Sequence, residues 1–282
     1  MPARKRAQRR KKLPVEFEET TLPPQYIKQS NGPSNLLIIL LIVVSFFAGY
    51  LFFKLKSLEQ AKTTTAQPAQ PAAVNVTKDQ LKKLFANDYI HFGSGNSKLL
   101  FVEITDPSCP FCHIAGGDDP ELSAQSGARF KYVSDGGTYV PPVPEMKKLV
   151  DDGKAALAII YSPGHGNGQL GMQALYCANE KGKFWETHNL LMSNAGYDML
   201  NNKVQNDAKN ISTLADFLAP AVDSQFLTSC LESQKYAKSL TRDEQVSQSL
   251  GFSGTPHFFV NTTPFKGAYS YADMDSAVKA AL

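Results

Sequence analysis

Two cysteines three residues apart close the stretch Phe101-Val-Glu-Ile-Thr-Asp-Pro-Ser-Cys109-Pro110-Phe111-Cys112-His113. An apolar run ends in a Pro-Ser turn, and the pair follows at once. Cysteines at i and i+3 at the start of a helix share one face and can join as a small-ring disulfide. The first sulfur then lies near the positive end of the helix dipole, which lowers its pKa and favours the reactive thiolate. A redox dithiol is the chemistry that this spacing supports best.

Other chemistries use the same residues. A structural zinc site normally adds a second pair or a nearby His pair, whereas Cys177 and Cys230 stand far apart in the chain. Cys109-x-x-Cys112-His113 also fits the attachment pattern of c-type haem. That would call for a wrapping helical fold, and here a β-rich run leads straight into the motif. A metal site joining both thiols to His113, His165 or His257 is a third reading. A purely structural disulfide would close so short a loop that it would stabilise little. The glycine-rich Pro163–Gly168 lacks the Gly-Lys-Ser/Thr ending of a phosphate loop. The redox reading calls for no cofactor and no metal.

The elements that must hold the pair can be read from periodicity. Residues 98–105 (KLLFVEIT) and 155–161 (AALAIIY) are short apolar runs suited to buried strands. Thr77-Lys-Asp-Gln80 fits a capping box ahead of Leu81, Leu84 and Phe85 and predicts a short helix. Residues 144–152 read as a helix. From Leu170 onward the pattern is helical in pieces, over 169–180, 183–193, 211–219, 223–232 and 234–250. A turn at Gly251-Phe-Ser-Gly-Thr255-Pro256 leads to a strand at His257–Asn261, a hairpin partner at Phe265–Ala268 and a last helix at Tyr271–Ala281. The Gly- and Asp-rich stretch 114–140 reads as surface loop, with one short strand at Arg129–Ser134. Shaping a substrate groove, or binding a cation through Asp118, Asp119 and Asp135, are the alternatives for it. The order predicts an α/β layout with a block of helices inserted between two sheet-forming halves.

The N-terminal third differs in kind. Residues 1–35 hold eight Lys/Arg against three Glu, and five prolines, which reads as a basic disordered tail. The rest of the chain has 21 basic against 23 acidic residues, so nucleic-acid binding has no support outside that tail. Residues 36–53 (LLIILLIVVSFFAGYLFF) are eighteen in a row without a charge, about what a membrane-spanning helix needs. Seven Lys/Arg crowd the first twelve positions, which predicts a cytoplasmic N-terminus and an extracytoplasmic remainder. A cleaved signal peptide is the competing reading, but the apolar run is long for one and no small-x-small site follows promptly. The prolines of residues 54–76 read as a semi-extended linker, and residues 77–282 as the folded domain.

Several motifs in order now carry a resemblance. Glu103 stands six residues before Cys109-Pro-Phe-Cys112, Gly182-Lys-Phe-Trp185 falls within the helical block, and Gly251-Phe-Ser-Gly-Thr-Pro256-His-Phe-Phe-Val260 follows. This set resembles the DsbA-like branch of the thioredoxin superfamily, in its membrane-anchored, BdbD-type form, over residues 77–282. The resemblance implies a thioredoxin fold with an inserted helical subdomain, preceded here by one transmembrane helix. It also implies roles. Cys109 is the exposed nucleophile and Cys112 the buried partner that resolves a mixed disulfide. Glu103, below the motif, has a raised pKa and relays a proton to or from Cys112; a solvent-facing Glu is the bland alternative. Pro256 is a cis proline packed against the dithiol, and Thr255 offers backbone groups to an extended substrate chain, beside Pro110 and Phe111.

Phe111 stands where the strongly oxidising form has a His, and it donates no hydrogen bond, so a milder oxidant is expected. His113 reads as a surface helix residue. Trp185 and Phe184 read as core of the insertion. In an oxidising compartment Cys177 and Cys230 are expected to form a structural disulfide; two free buried thiols are the alternative. The implied activity is oxidation of cysteine pairs in secreted or cell-surface proteins, with reoxidation by a DsbB- or VKOR-like membrane partner. A reductase or isomerase of the same fold is the runner-up.

Overall fold

A computed structural model describes residues 35–63, 75–86, 88–252 and 254–282. The basic tail expected over residues 1–35, apart from Asn35, and the central part of the expected linker lie outside the described residues. Helix α1 spans Asn35–Thr63 and so continues ten residues past the end expected for the apolar run. Its described apolar side chains are exposed, among them Phe46 and Phe53 at 81% and 74%. Among the described residues no helix is long and apolar enough to cross a membrane, the unbroken described run of α1 side chains, 42–54, being shorter than a span.

The domain over residues 75–282 is built on one five-stranded sheet. Its strands are β1 (Ile90–Phe92), β2 (Leu99–Thr105), β3 (Ala155–Tyr161), β4 (His257–Val260) and β5 (Thr263–Lys266), in the order β1-β3-β2-β4-β5. Only β2 and β3 run parallel, in the register Phe101↔Leu157 and Glu103↔Ile159. Every residue of these two strands is buried, which is why both read as unbroken apolar runs rather than alternating ones. Side-chain alternation divides the core between the two faces. Leu99, Phe101, Leu157 and Ile159 pack with the larger cluster, which includes Met146, Met172, Met274 and Val278. Val102, Ile104, Ala158 and Ile160 pack with Leu81, Leu84, Leu250 and Phe252 on the other. A fully buried Leu or Phe contributes about 1.5–3 kcal/mol, so the sheet interior dominates the stability of the domain.

Helix α2 (Lys78–Lys82) opens the domain with the capping box read from the sequence: Gln80 N–H donates to the Thr77 hydroxyl, and Thr77 N–H to the Gln80 side chain. The dithiol opens α3 (Pro110–Gly116), which ends on Gly117 at φ +87, a left-handed position that suits glycine. Helices α4 (Pro120–Gln125) and α5 (Pro142–Asp151) follow before β3. Between β3 and β4 lie α6 (Gln169–Glu180), α7 (Phe184–Leu191), α8 (Asn194–Asp198), α9 (Ile211–Phe217), α10 (Ser224–Glu232) and α11 (Ala237–Ser249), and α12 (Tyr271–Ala281) closes the chain.

Three local expectations change. The strand expected at Arg129–Ser134 is two 3-10 turns, Ala128–Phe130 and Val133–Asp135, because Gly127 and Gly136 take positive φ on either side. The stretch 114–140 is not plain loop, since it holds the last three residues of α3 and all of α4. Strand β1, three residues long, and α8, with the π-helical turn Met199–Val204 after it, have no counterpart in the sequence reading.

Candidate active site

Strand β2 carries the site. Phe101, Glu103 and Thr105 share one face, and Phe101 packs in the same cluster as Ala115 of α3. Asp106-Pro107-Ser108 then turns the chain into the helix. The Asp106 carboxylate is fully buried and satisfied from two directions. It accepts from the Ser108 backbone and hydroxyl, both at 2.8 Å. It also accepts from Gly164 N–H at 2.6 Å and His165 N–H at 2.9 Å, in the loop that leaves β3. Glycines allow this approach. A Cβ on Gly168 would lie 1.7 Å from the Asp106 carboxylate, and one on Gly164 would lie 2.3 Å from the Thr255 hydroxyl. Asn201 adds a donor to the Ser108 carbonyl at 3.2 Å.

Cys109 is the N-cap of α3, and Pro110 takes the first helical position, where its missing N–H is not needed. Both cysteines are free thiols and both are buried. The expectation of an exposed Cys109 is corrected here, because the Thr255 turn covers its sulfur. The Cys109 thiol donates to the Thr255 carbonyl at 3.3 Å, and the Thr255–Pro256 bond is cis. The two sulfurs are held unequally. Hydrogen bonding from Cys112 outweighs burial and lowers Cys109 to about 6. Burial, with Cys109 beside it, pushes Cys112 well above an ordinary thiol. The backbone N–H of Asp106 lies 3.5 Å from the Cys112 sulfur. The first thiol is thus the more readily ionised of the two, and the second holds its proton.

Glu103, on β2 ahead of this pair, is buried at 1% exposure and does not face solvent. Neither of its carboxylate oxygens makes a hydrogen bond among the described residues, nor does the Thr105 hydroxyl on the same face. Burial therefore lifts the Glu103 carboxyl to about 7, only slightly offset by Thr105. A group that gains and loses a proton near neutrality is suited to serve a buried thiol.

His113 is a correction. It is fully buried, not a surface residue. Its Nε2 faces the Pro107 carbonyl at 2.8 Å and its Nδ1 the Met192 carbonyl at 3.0 Å. The Asp119 carboxylate, also fully buried, stands 3.6 Å from Nδ1. Both ring nitrogens are thus engaged within the fold.

Phe111 turns outward at 38% exposure, and its ring lies 5.2 Å from that of Phe130. With Thr255 and Pro256 the two rings line a groove at the dithiol. Phe130 lies in the 128–135 turns, so part of the segment read as surface loop lines this groove. Away from the site, Cys177 of α6 and Cys230 of α10 are joined by a disulfide, with Cα atoms 6.2 Å apart. Phe184 is buried in the main core and Trp185 packs against it.

Sequence reasoning missed Asp106, Asn201 and the cover over Cys109. Asp106-Pro-Ser108 carries a local signal, since Asp two residues before Ser favours an Asx turn. The glycines at 164 and 168 were a second, because close backbone approach needs them. Asn201 has no local signal at all.

Comparison with known proteins agrees with this architecture. A thioredoxin family model matches residues 144–280, beyond the dithiol itself. A search of curated protein sequences gives no match. Among solved structures, the chain is similar to oxidised BdbD from Bacillus subtilis, at 17% identity and a TM-score of 0.51, covering 69% of this chain and 92% of that one. It is similar to the thiol-disulfide exchange protein α-DsbA2 from Wolbachia pipientis, at 18% identity and a TM-score of 0.51, with 75% and 99% covered. It is also similar to α-DsbA1 from Wolbachia pipientis, at 15% identity and a TM-score of 0.52, with 71% and 96% covered. The chain thus matches the thioredoxin family model over its C-terminal part and shares the fold of these solved structures.

Proposed function

We propose that this chain is a membrane-anchored protein disulfide oxidoreductase that oxidises cysteine pairs in secreted or cell-surface proteins. One observation carries the chemistry: Cys109 caps α3 with a lowered pKa, while buried Cys112, one turn on, holds its proton. In the oxidising direction a substrate thiolate attacks Cys109 in the Cys109–Cys112 disulfide. The ring bond breaks, and Cys112 leaves with the electron pair and takes a proton. A second substrate thiol then displaces Cys109 from the mixed disulfide, so two electrons and two protons reach the pair. Glu103, buried on β2, exchanges a proton with Cys112 as it leaves or returns. A membrane partner of the DsbB or VKOR type reoxidises the dithiol.

The anchor rests on residues 36–53, eighteen without a charge, on the helix that contains them, and on apolar side chains that project from it uncovered. The basic residues before it support an N-terminus in the cytoplasm and a domain outside. Retention of the full chain in membranes after alkaline carbonate washing tests this; release into the wash would refute it.

A second reading, reductase or isomerase, draws on Phe111. Its exposed ring offers the Cys109 thiolate no hydrogen bond, which favours the disulfide and makes the pair a weaker oxidant. Equilibration of the full chain with glutathione buffers decides between them. A potential well above that of thioredoxin, about −270 mV, supports the oxidase, and one at or below it supports the reductase. Substrate oxidation that persists in Cys109→Ser would refute the mechanism under either reading.

A further inference from the structure

The groove at the dithiol has a charge as well as a shape. Phe111, Phe130, Pro256 and Tyr269 line it, and Arg129 and Lys266 stand at it from two separate pieces of chain. Arg129 comes from the 3-10 turn after α4 and its guanidinium lies 5.4 Å from the Phe130 ring. Lys266 is the last residue of β5, with its ammonium 5.4 Å from the Phe252 ring. Both side chains are exposed, and neither makes an ion pair among the described residues. No acidic residue lines this groove among the described residues. On the adjoining surface, which Arg129 also lines, the carboxylate of Asp273 serves in the capping box of α12, accepting from Ser270 N–H at 3.1 Å. The domain as a whole is slightly acidic, so two unpaired cations at a groove that Phe111, Thr255 and Pro256 also line run against its general charge. The remainder of the groove is aromatic and apolar, and Phe111 is one of few large apolar side chains exposed on the domain.

We propose that Arg129 and Lys266 make this a groove for extended, cysteine-bearing protein segments in which an acidic residue neighbours the reacting cysteine. The proposal rests on the oxidoreductase reading and adds the substrate class to it. The peptide cysteine meets Cys109 beneath Thr255, an apolar neighbour lies on Phe111 and Phe130, and a Glu or Asp side chain is drawn to the two cations. Lysine at the same place is repelled. Such steering acts on the rate of encounter and fades as salt screens it.

The test uses the oxidised full-length chain in detergent and peptides that differ at one position: a single cysteine flanked by Glu, Gln or Lys. The peptide thiolate attacks Cys109, the Cys109–Cys112 bond breaks, Cys112 leaves as thiol, and a peptide–Cys109 disulfide forms. A neighbouring charge also alters the peptide thiol, so each rate is divided by that peptide's rate with neutral hydroxyethyl disulfide. The Glu peptide is expected to react about tenfold faster than the Lys peptide at low salt, and the ratio to shrink at high salt. In the R129Q/K266Q chain the ratio falls to within about twofold of unity. Equal rates for Glu and Lys, or a Glu preference that survives in the double variant, would overturn the proposal while leaving the oxidoreductase reading in place. Exchange with none of the peptides would overturn both.

Discussion

The Cys109 sulfur lies 3.3 Å from the carbonyl oxygen of Thr255, the residue joined to Pro256 by a cis bond. A single turn of the β4 approach therefore both covers the nucleophile and faces the groove where a substrate chain would lie. The lowered pKa of Cys109 makes this site testable by titration. In the reduced chain, alkylation by iodoacetamide should rise with pH through an inflection near 6 and stay level to neutrality, since Cys112 remains a thiol. An inflection in the ordinary range of free cysteine would contradict the assigned asymmetry.

Glu103 ties the site to the pH dependence of folding. Its carboxyl is raised from 4.5 to about 7 in the fold. A raised acid supports the folded state fully below its unfolded pKa and loses that support as pH rises through the folded value. Between about pH 4.5 and 7 the native chain should therefore weaken, by an amount that approaches roughly 3 kcal/mol. Asp243, raised from 3.8 to about 6, acts in the same direction at lower pH. His188 and His257, both lowered to about 4 by burial, act oppositely as pH falls below 6.5. Glu103→Gln isolates one contribution: its stability relative to the parent chain should increase from pH 5 to pH 8 in urea titrations. A difference independent of pH would show that Glu103 is not perturbed.

His113 should behave as a core residue. Alanine there strands the buried Pro107 and Met192 carbonyls. Leaving a buried polar group unpaired costs about 1–3 kcal/mol. Denaturant midpoints of His113→Ala against the parent chain measure it. A loss within about 0.5 kcal/mol would return His113 to the surface class.

Gly168 should tolerate no side chain. A methyl group there meets the Asp106 carboxylate, and overpacking of this kind costs about 1–3 kcal/mol. Gly168→Ala should also slow thiol exchange, because Asp106 holds the turn that leads to Cys109. Normal stability together with normal exchange would mean that the loop moves aside freely.

The Cys177–Cys230 bond spans a sequence separation of 53 residues. The loop-closure model assigns a bond of that span about 4 kcal/mol. The Cys177→Ser, Cys230→Ser double variant should unfold at correspondingly lower denaturant, and an unchanged midpoint would contradict the model.

Residues that act through their neighbours in sequence were legible, and those that act across the fold were not. The strands at 99–105 and 155–161 announce themselves because burial on both faces demands unbroken apolar runs. The capping box at Thr77 and Gln80 and the breaks between the inserted helices are likewise local. Cys109, Cys112 and Pro256 stand in short motifs. His113 has no such context. Its burial is set by Met192, 79 residues on, and nothing within its own turn reports that. Asn201, which meets the Ser108 carbonyl 93 residues back, is silent for the same reason. The 128–135 turns were mistaken for a strand because Phe130 and Tyr132 carry β propensity, while the glycines that flank them decide the backbone.

The links from the dithiol to Met192, to Asn201 and to the loop at Gly164 have a consequence in time. A chain made from its N-terminus presents Cys109 and Cys112 long before the residues that seat them. Cys177 follows, and its partner Cys230 comes later still. During that interval three thiols are available and every pairing of Cys177 among them is wrong. The maturing chain is thus exposed to the same hazard of mispairing that its proposed substrates face, and the order in which its own cysteines appear sets how long that hazard lasts.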